Sequence, residues 1–442
     1  MIFNKIKSQR DKGIFKGIVT GILAKSITIV SGLVTIPFTL EYLGVERFGV
    51  WMTITGLVSF LTLSDFGLGI GLQNALTRCY GNDDKVNPKI YISTSYFLVS
   101  VLIVFILFCF LVSHSYVPFD RLFKFNVNSQ DLYSESIMAV KLSCIAFIAC
   151  IPINLIERVL VGYQKNYLAN LLLCLGRVLG LFFIFISIYF DLGLYLLSVL
   201  FIVSPSIVYF VYTIFYFSKV ENREMCPSIY FIRTQHFKDV ISTGGWNFLA
   251  QFSFALKENM PILIISSLVG VAQVSTFAVT QRIIGAVLMF INVSLQSLWP
   301  AYGEAFYKRD KAWITKTLKR SIVSVLIISL SSSIIFVLFG KLIIDIWAGS
   351  EVVPSFTLLM LCAFWMVLSS INIALTMLLN GTNNFKSQAT YGVALVILGS
   401  FFSYRFGIDV GMIGVVLSFI LISELSRTIV FSIDIRRLLR NI

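Results

Sequence analysis

Twelve runs of apolar residues, each long enough to cross a bilayer, set the terms for any fold that this chain can adopt. A hydrocarbon core about 30 Å thick takes about 20 residues of helix. Segments meeting that demand fall near 17–43, 48–78, 89–113, 137–157, 168–190, 192–217, 238–268, 271–298, 320–340, 355–379, 388–404 and 410–433. Only short connectors separate them, the longest near 113–136, 218–237 and 299–319. The sequence therefore predicts an all-α polytopic membrane protein of about twelve transmembrane helices, with no soluble domain to house a catalytic site. Composition agrees: 57% of residues are hydrophobic and 13% charged, against about 25% charged in soluble domains.

The net charge is +13, and position decides what it means. Lys and Arg gather in connectors and termini, with no basic run and no aromatic–basic RNA motif, which argues against nucleic acid as partner. With the N-terminus placed in the cytoplasm, 24 of the 35 fall in residues 1–16, 78–89, 158–167, 218–238, 308–320, 386 and 434–442. Only Arg47, Arg121, Lys124, Lys341 and Arg405 fall on the other side. This positive-inside bias predicts an even number of spans and two cytoplasmic termini. The basic start, Lys5 to Lys16, looks like that of a signal peptide, but the apolar run after it, some 27 residues, exceeds the about 7–15 of an h-region. It reads as a retained first span.

Three short stretches recur about 220 residues apart and in the same order. Pro37, Gly44-Val45 and Phe48-Gly49 around the first connector match Pro261, Gly270-Val271 and Val274-Ser275 around the seventh. Tyr80-Gly81 matches Tyr302-Gly303, and Leu160-Val161-Gly162 matches Leu379-Asn380-Gly381. The order predicts an internal duplication. An offset of six spans gives both halves one topology. The expected architecture is two six-helix bundles, 1–218 and 238–442, joined by a cytoplasmic linker at 219–237. A pseudo-two-fold along the membrane normal would relate them around a central cavity.

Polar residues inside the spans are the candidates for function, because a charge at the bilayer centre costs from about 2.5 kcal/mol upward. The embedded bases are Lys25, Lys141, Arg177, Lys257, Arg282 and Arg427, and the acids Asp65, Glu258 and Glu424. Lys25 heads a stripe of Thr28, Gly32, Thr35 and Thr39 on one helical face, which reads as lining an aqueous cavity; the alternative is that Lys25 snorkels to the headgroups. In the seventh span Asn247, Gln251 and Glu258 project within about 40° of one another, with Lys257 to one side. The competing reading makes Lys257 and Glu258 a structural pair. Gln281, Gly285, Asn292 and Gln296 share a face of the eighth span, flanked by Arg282. Asp65, and Glu258 with it, are candidates for coupling to an ion; Asp65 equally reads as a partner of Lys25 or a cap at a helix break. Glu424 and Arg427, three residues apart on one helix, can neutralise each other.

Enzyme signatures are missing from the sequence. His114 and His236 are the only histidines, too few for a histidine metal cluster. No phosphate-binding G-x-x-x-x-G-K-[ST] loop and no nucleophile elbow occurs. The seven cysteines form no C-x-x-C pair and read as inert thiols. No cofactor is expected, and the chain reads as a transporter rather than an enzyme.

The segment with Pro37, Leu43-Gly44-Val45-Glu46-Arg47-Phe48-Gly49-Val50-Trp51 and Leu63-Ser64-Asp65-Phe66-Gly67-Leu68-Gly69 resembles the opening of the polysaccharide (O-antigen, Wzx-type) flippases. These belong to the multidrug/oligosaccharidyl-lipid/polysaccharide exporter superfamily. The connector Gly162-Tyr163-Gln164-Lys165-Asn166-Tyr167 also fits. The resemblance implies a V-shaped transporter of the bacterial inner membrane that moves undecaprenyl-pyrophosphate-linked oligosaccharide from the cytoplasmic to the periplasmic leaflet. It implies coupling to a proton or Na+ gradient and a neighbouring polysaccharide polymerase machinery. Two alternatives stand beside it. A multidrug extruder would favour embedded acids over the basic excess seen here. An O-antigen polymerase or ligase would carry one large external loop.

Overall fold

The computed structural model describes residues 9–61, 67–81, 84, 87–113, 123–124, 130–233, 245–296, 298–382 and 384–440. Asp65 lies outside them. Helix α1 (Gln9–Leu61) contains Pro37 and is broken at Gly44, whose φ of 70° favours a residue without a Cβ. It is followed by α2 (Leu68–Gly81), α3 (Asn87–Ser113), α4 (Gln130–Gly162), α5 (Asn166–Tyr189) and α6 (Gly193–Ser218). The chain continues through α7 (Gly245–Leu268), α8 (Val271–Leu295), α9 (Leu298–Tyr307), α10 (Lys311–Ala348), α11 (Phe356–Gly381) and α12 (Phe385–Val410). The last apolar stretch is α13 (Met412–Phe419), a π-turn (Ile420–Leu425) and α14 (Ser426–Arg440).

Ten helical stretches among the described residues are long and apolar enough to cross a membrane. One of them, Leu23–Leu61, holds the break at Gly44 and takes in most of the first expected span and the first half of the second, whose end falls in α2. The helix of the seventh expected span, α7, is not among the ten: Gln251, Ser253, Lys257, Glu258 and Asn259 dilute its apolar face. The connector expected at 299–319 is largely helical, as α9 and the first turns of α10. Asp310 explains the start of α10, since its carboxylate accepts the Trp313 N–H at 2.9 Å, a capping bond.

Outward faces are apolar, as lipid demands. Val104, Phe105 and Phe108 on α3 and Ile327, Ile334 and Leu338 on α10 are all exposed. Cys109 on α3 is exposed among them, as is Cys226 after α6.

The chain forms two compact units that interleave along the sequence. One comprises Met1–Thr35, Phe60–Pro118 and Ser134–Phe248; the other comprises Ile36–Ser59, Phe119–Tyr133 and Leu249–Ile442. In the first, Leu72, Leu76, Ile92, Ile148, Ile156 and Leu160 form the core where α2, α3 and α4 meet. The connector after α6 is sewn to this unit: Tyr163 Oη donates to Met225 Sδ at 3.0 Å and the Ser228 N–H to Ser93 Oγ at 3.0 Å. In the second, Tyr302, Ile314, Leu375, Leu379 and Phe431 form the core of α9, α10, α11 and α14.

The second unit takes in the Gly44 turn because of a close backbone approach. A Cβ on Gly49 would lie 1.8 Å from the Val271 carbonyl oxygen, and Ser275 Oγ donates to the Val45 carbonyl at 2.5 Å. Lys124 straps the α7–α8 turn: its N–H donates to the Ser266 carbonyl at 3.1 Å, and its own carbonyl accepts the Val271 N–H at 3.1 Å. The sequence repeat also recurs as packing inside each unit. In the first, a Cβ on Gly162 would lie 2.7 Å from Leu76 Cβ; in the second, one on Gly381 would lie 2.7 Å from the Trp299 carbonyl oxygen and 2.8 Å from Tyr302 Cβ.

Candidate functional site

The second unit buries a cluster of charge that apolar packing cannot account for. Helix α7 supplies Lys257 and Glu258, and Pro261 four residues on has no N–H to offer the Lys257 carbonyl. The helix is loosened at the point where it carries the charge. Helix α11 supplies Asn372, and the π-turn supplies Glu424, with Arg427 in the turn after it. π-turns are rare and gather at functional sites, because the inserted residue re-aims side chains and opens the backbone hydrogen-bond ladder.

Lys257 Nζ sits between two carboxylates, 3.1 Å from Glu424 Oε1 and 3.3 Å from Glu258 Oε1. Glu424 is 0% and Lys257 7% exposed, whereas the Glu258 side chain is 40% exposed. Asn372 fixes the geometry: Nδ2 donates to Glu424 Oε2 at 2.8 Å and to the Glu424 carbonyl at 3.2 Å, and Oδ1 accepts from Thr428 Oγ1 at 3.0 Å. Arg427 Nη2 donates to Ser253 Oγ at 3.4 Å. Two acids face two bases, so the cluster is neutral overall, the condition under which buried charges are tolerable. Glu258 also borders a cavity of about 40 Å³ with Gln281, Ile284, Gly285, Leu288, Cys362, Trp365 and Ser369. Gln281 Nε2 donates to the Glu258 carbonyl at 3.3 Å, tying α8 to α7.

Of the residues singled out from sequence, the structure brings Lys257, Glu258, Gln281, Glu424 and Arg427 together. Gln251 and Arg282 are exposed on α7 and α8, and Asn292 is half-buried on α8. Asn247 lies in the first turn of α7, with its side chain outside the described residues. Lys25, Thr28 and Thr35 belong to the first unit. Lys25 is half-buried, Thr28 Oγ1 donates to the Ala24 carbonyl of its own helix at 2.8 Å, and Thr35 is buried. Glu424 pairs across the unit with Lys257 at 3.1 Å, and the Arg427 charge three residues on acts on the same carboxylate. Asn372 and Ser253 escaped notice because an amide or a hydroxyl in an apolar helix is common. The signal that could have found the pairing was Lys257 itself, which points off the polar face of its helix toward some other partner.

A protein-family profile described as polysaccharide biosynthesis protein matches residues 14–306, about two thirds of the chain. The chain belongs to that family. Among its relatives, a putative O-antigen transporter of Salmonella typhimurium is 24% identical over 416 residues, covering 91% of this chain and 92% of that one. A putative O-antigen export protein of Yersinia pseudotuberculosis is 23% identical, covering 78% of each chain. The fold is that of the multidrug resistance MATE transporters of the MOP superfamily. An inward-facing member matches with a TM-score of 0.71 at 19% identity, covering 96% of both chains. A MOP transporter from Pyrococcus furiosus, whose binding pocket is described as reversed in polarity, matches at 0.64 and 17%, covering 98% of this chain and 97% of that one.

Proposed function

We propose that this multi-pass membrane protein is a flippase for a lipid-linked surface-polysaccharide precursor, of the undecaprenyl-pyrophosphate oligosaccharide class. The observation that carries the reading is the likeness to a putative O-antigen transporter over 91% of this chain. Twelve spans in two six-helix halves, with a central cavity and both termini on the cytoplasmic side of a bacterial inner membrane, fit the charge distribution and the duplicated Gly162 and Gly381 packing. The cycle is alternating access driven by a proton or Na+ gradient, with the polymerase that consumes the repeat unit as the neighbouring activity.

A pyrophosphate needs compensating cations on its way through low dielectric. Lys25 and Arg282 are the candidate bases for this role, beside a Lys257 held by two carboxylates, with the polar Thr28, Thr35, Asn247, Gln251, Gln281 and Asn292 as the candidate lining of the path. The basic excess in the spans also speaks against a multidrug extruder of organic cations.

The test is surface-glycan display in a strain lacking the gene. Lys25→Ala abolishes display at matched membrane levels, while Lys25→Arg keeps part of it. Normal display by both Lys25→Ala and Arg282→Ala would remove the cationic-path mechanism. Restored resistance to organic cations in place of glycan display would favour the extruder.

A further inference from the structure

Six bases crowd into the thirteen residues where α9 gives way to α10: Lys308, Arg309, Lys311, Lys316, Lys319 and Arg320. All six are exposed. The acids nearest to them in sequence are already engaged, since Glu304 pairs with Lys308 and Asp310 caps α10. Among the described residues no carboxylate pairs with the other five bases. Orientation in the membrane does not call for such a density, because connectors expected on the same side carry two bases at 158–167 and one at Lys386.

The faces of α10 decide what these bases look out on. One side is buried, with Ile314, Ser321, Val325 and Ser329 recurring along it. It is pinned at the basic end, where Ser321 Oγ lies 3.4 Å from Tyr302 Oη and Trp313 packs edge-on to the Tyr302 ring at 5.9 Å. The helix is therefore fixed in rotation. On the opposite side Val323, Ile327, Leu330, Ile334 and Leu338 are exposed at the spacing of a single helical face. An exposed apolar stripe of that length in a membrane helix lies against lipid. Lys316, Lys319 and Arg320 precede Val323 by seven, four and three residues, so they stand on the same face. One lipid-facing surface thus turns from apolar to cationic within a turn of Val323, with exposed Trp313, a residue type at home among headgroups, beside the bases. The far end of that helix carries only Lys341, with Asp345 four residues on. The cationic step belongs to one end alone.

We infer that this face of α10 is a docking surface for an anionic phospholipid of one leaflet, its headgroup phosphate among Lys316, Lys319 and Arg320 and its acyl chains along Val323, Ile327 and Leu330. Charge complementarity selects the occupant. A cluster of about four to eight bases beside a span attracts anionic leaflets. A zwitterionic phospholipid brings no net charge to match the bases, and a soluble anion leaves the apolar half of the face uncovered. The inference rests on the membrane reading and is independent of what the protein transports.

The test equilibrates the purified full-length chain in mixed micelles holding equal amounts of phosphatidylglycerol and phosphatidylethanolamine. Native mass spectrometry then reads the lipids retained and the number of copies of the chain. The wild type retains phosphatidylglycerol in preference, and raising the salt during equilibration weakens that preference by screening. The Lys316→Gln/Lys319→Gln/Arg320→Gln variant loses it, by about fivefold for each charge removed. Lys316→Arg/Lys319→Arg and the far-end Lys341→Gln both keep it. Equal retention of the two lipids by the wild type, a preference indifferent to salt, or one that survives in the triple glutamine variant overturns the inference. The wild-type arms need no substitution, so they decide the matter even where the triple variant fails to accumulate. Displacement of phosphatidylglycerol by inorganic pyrophosphate would make the face a site for a free anion, and stronger retention of undecaprenyl pyrophosphate would make it an entrance for a polyprenyl substrate. Either result overturns the phospholipid assignment. A wild-type dimer that the triple variant breaks would give the face to a second copy and overturn it likewise.

Discussion

Removing one member of a buried ion pair is harsher than removing both, because the survivor keeps its desolvation and loses its partner. Lys257→Met leaves Glu424 fully buried with its ion-pair partner gone and only Asn372 and the Arg427 charge beside it. Breaking a buried pair in this way costs about 3–5 kcal/mol, and thermal unfolding in detergent should show it. The Lys257→Met/Glu424→Gln double variant should recover most of that loss. A double variant no more stable than the single one would mean that the ammonium and the carboxylate do not depend on each other. Gly49 is sensitive for another reason. Even alanine there places a Cβ against the Val271 backbone, where no flexible side chain can yield. Overpacking of this kind costs about 1–3 kcal/mol, and Gly49→Val should lower the unfolding temperature more than Gly49→Ala.

At the scale of helices, most of the fold was legible in the sequence. Uninterrupted apolar runs found the membrane helices, and Gly162 and Gly381 of the repeat proved to be places where helices approach closely. Boundaries were less legible. Helix α10 begins at Lys311, ahead of its apolar run at 320, because Asp310 caps it and lysine and arginine sustain helix about as well as leucine does. Asp310→Ala should cost about 1 kcal/mol, read as fraying of the first turn in amide hydrogen exchange, with the apolar part of α10 unchanged. Half of the candidate site was legible too. Lys257, Glu258 and Gln281 stood out as polar residues in apolar helices. The link from Lys257 to Glu424 was not, because periodicity gives the face of a helix and not the helix opposite. The i, i+3 spacing pointed to Arg427, which does act on Glu424, but not to the second partner across the unit, and the π-turn between Ile420 and Leu425 leaves no mark that propensity reads.

For the whole molecule, the charge asymmetry makes a prediction for every connector at once. Reporter fusions after residues 85, 230 and 315 should read cytoplasmic, and those after 46, 125 and 350 external; an external signal at 230 would break the two-half arrangement. Helix α10 bears on the same question from its length. Its 38 residues, at about 1.5 Å each, reach about 57 Å, nearly twice the about 30 Å of hydrocarbon. Exposed Lys311, Lys316, Lys319 and Arg320 mark one end, and Lys341 and Asp345 lie toward the other. The surplus is polar, however: the apolar run near 320–340, at about 1.5 Å per residue, just matches the hydrocarbon, with Arg320 and Lys341 at its two ends. The helix is gauged to one bilayer thickness, and turnover should fall in lipids whose acyl chains are markedly shorter or longer.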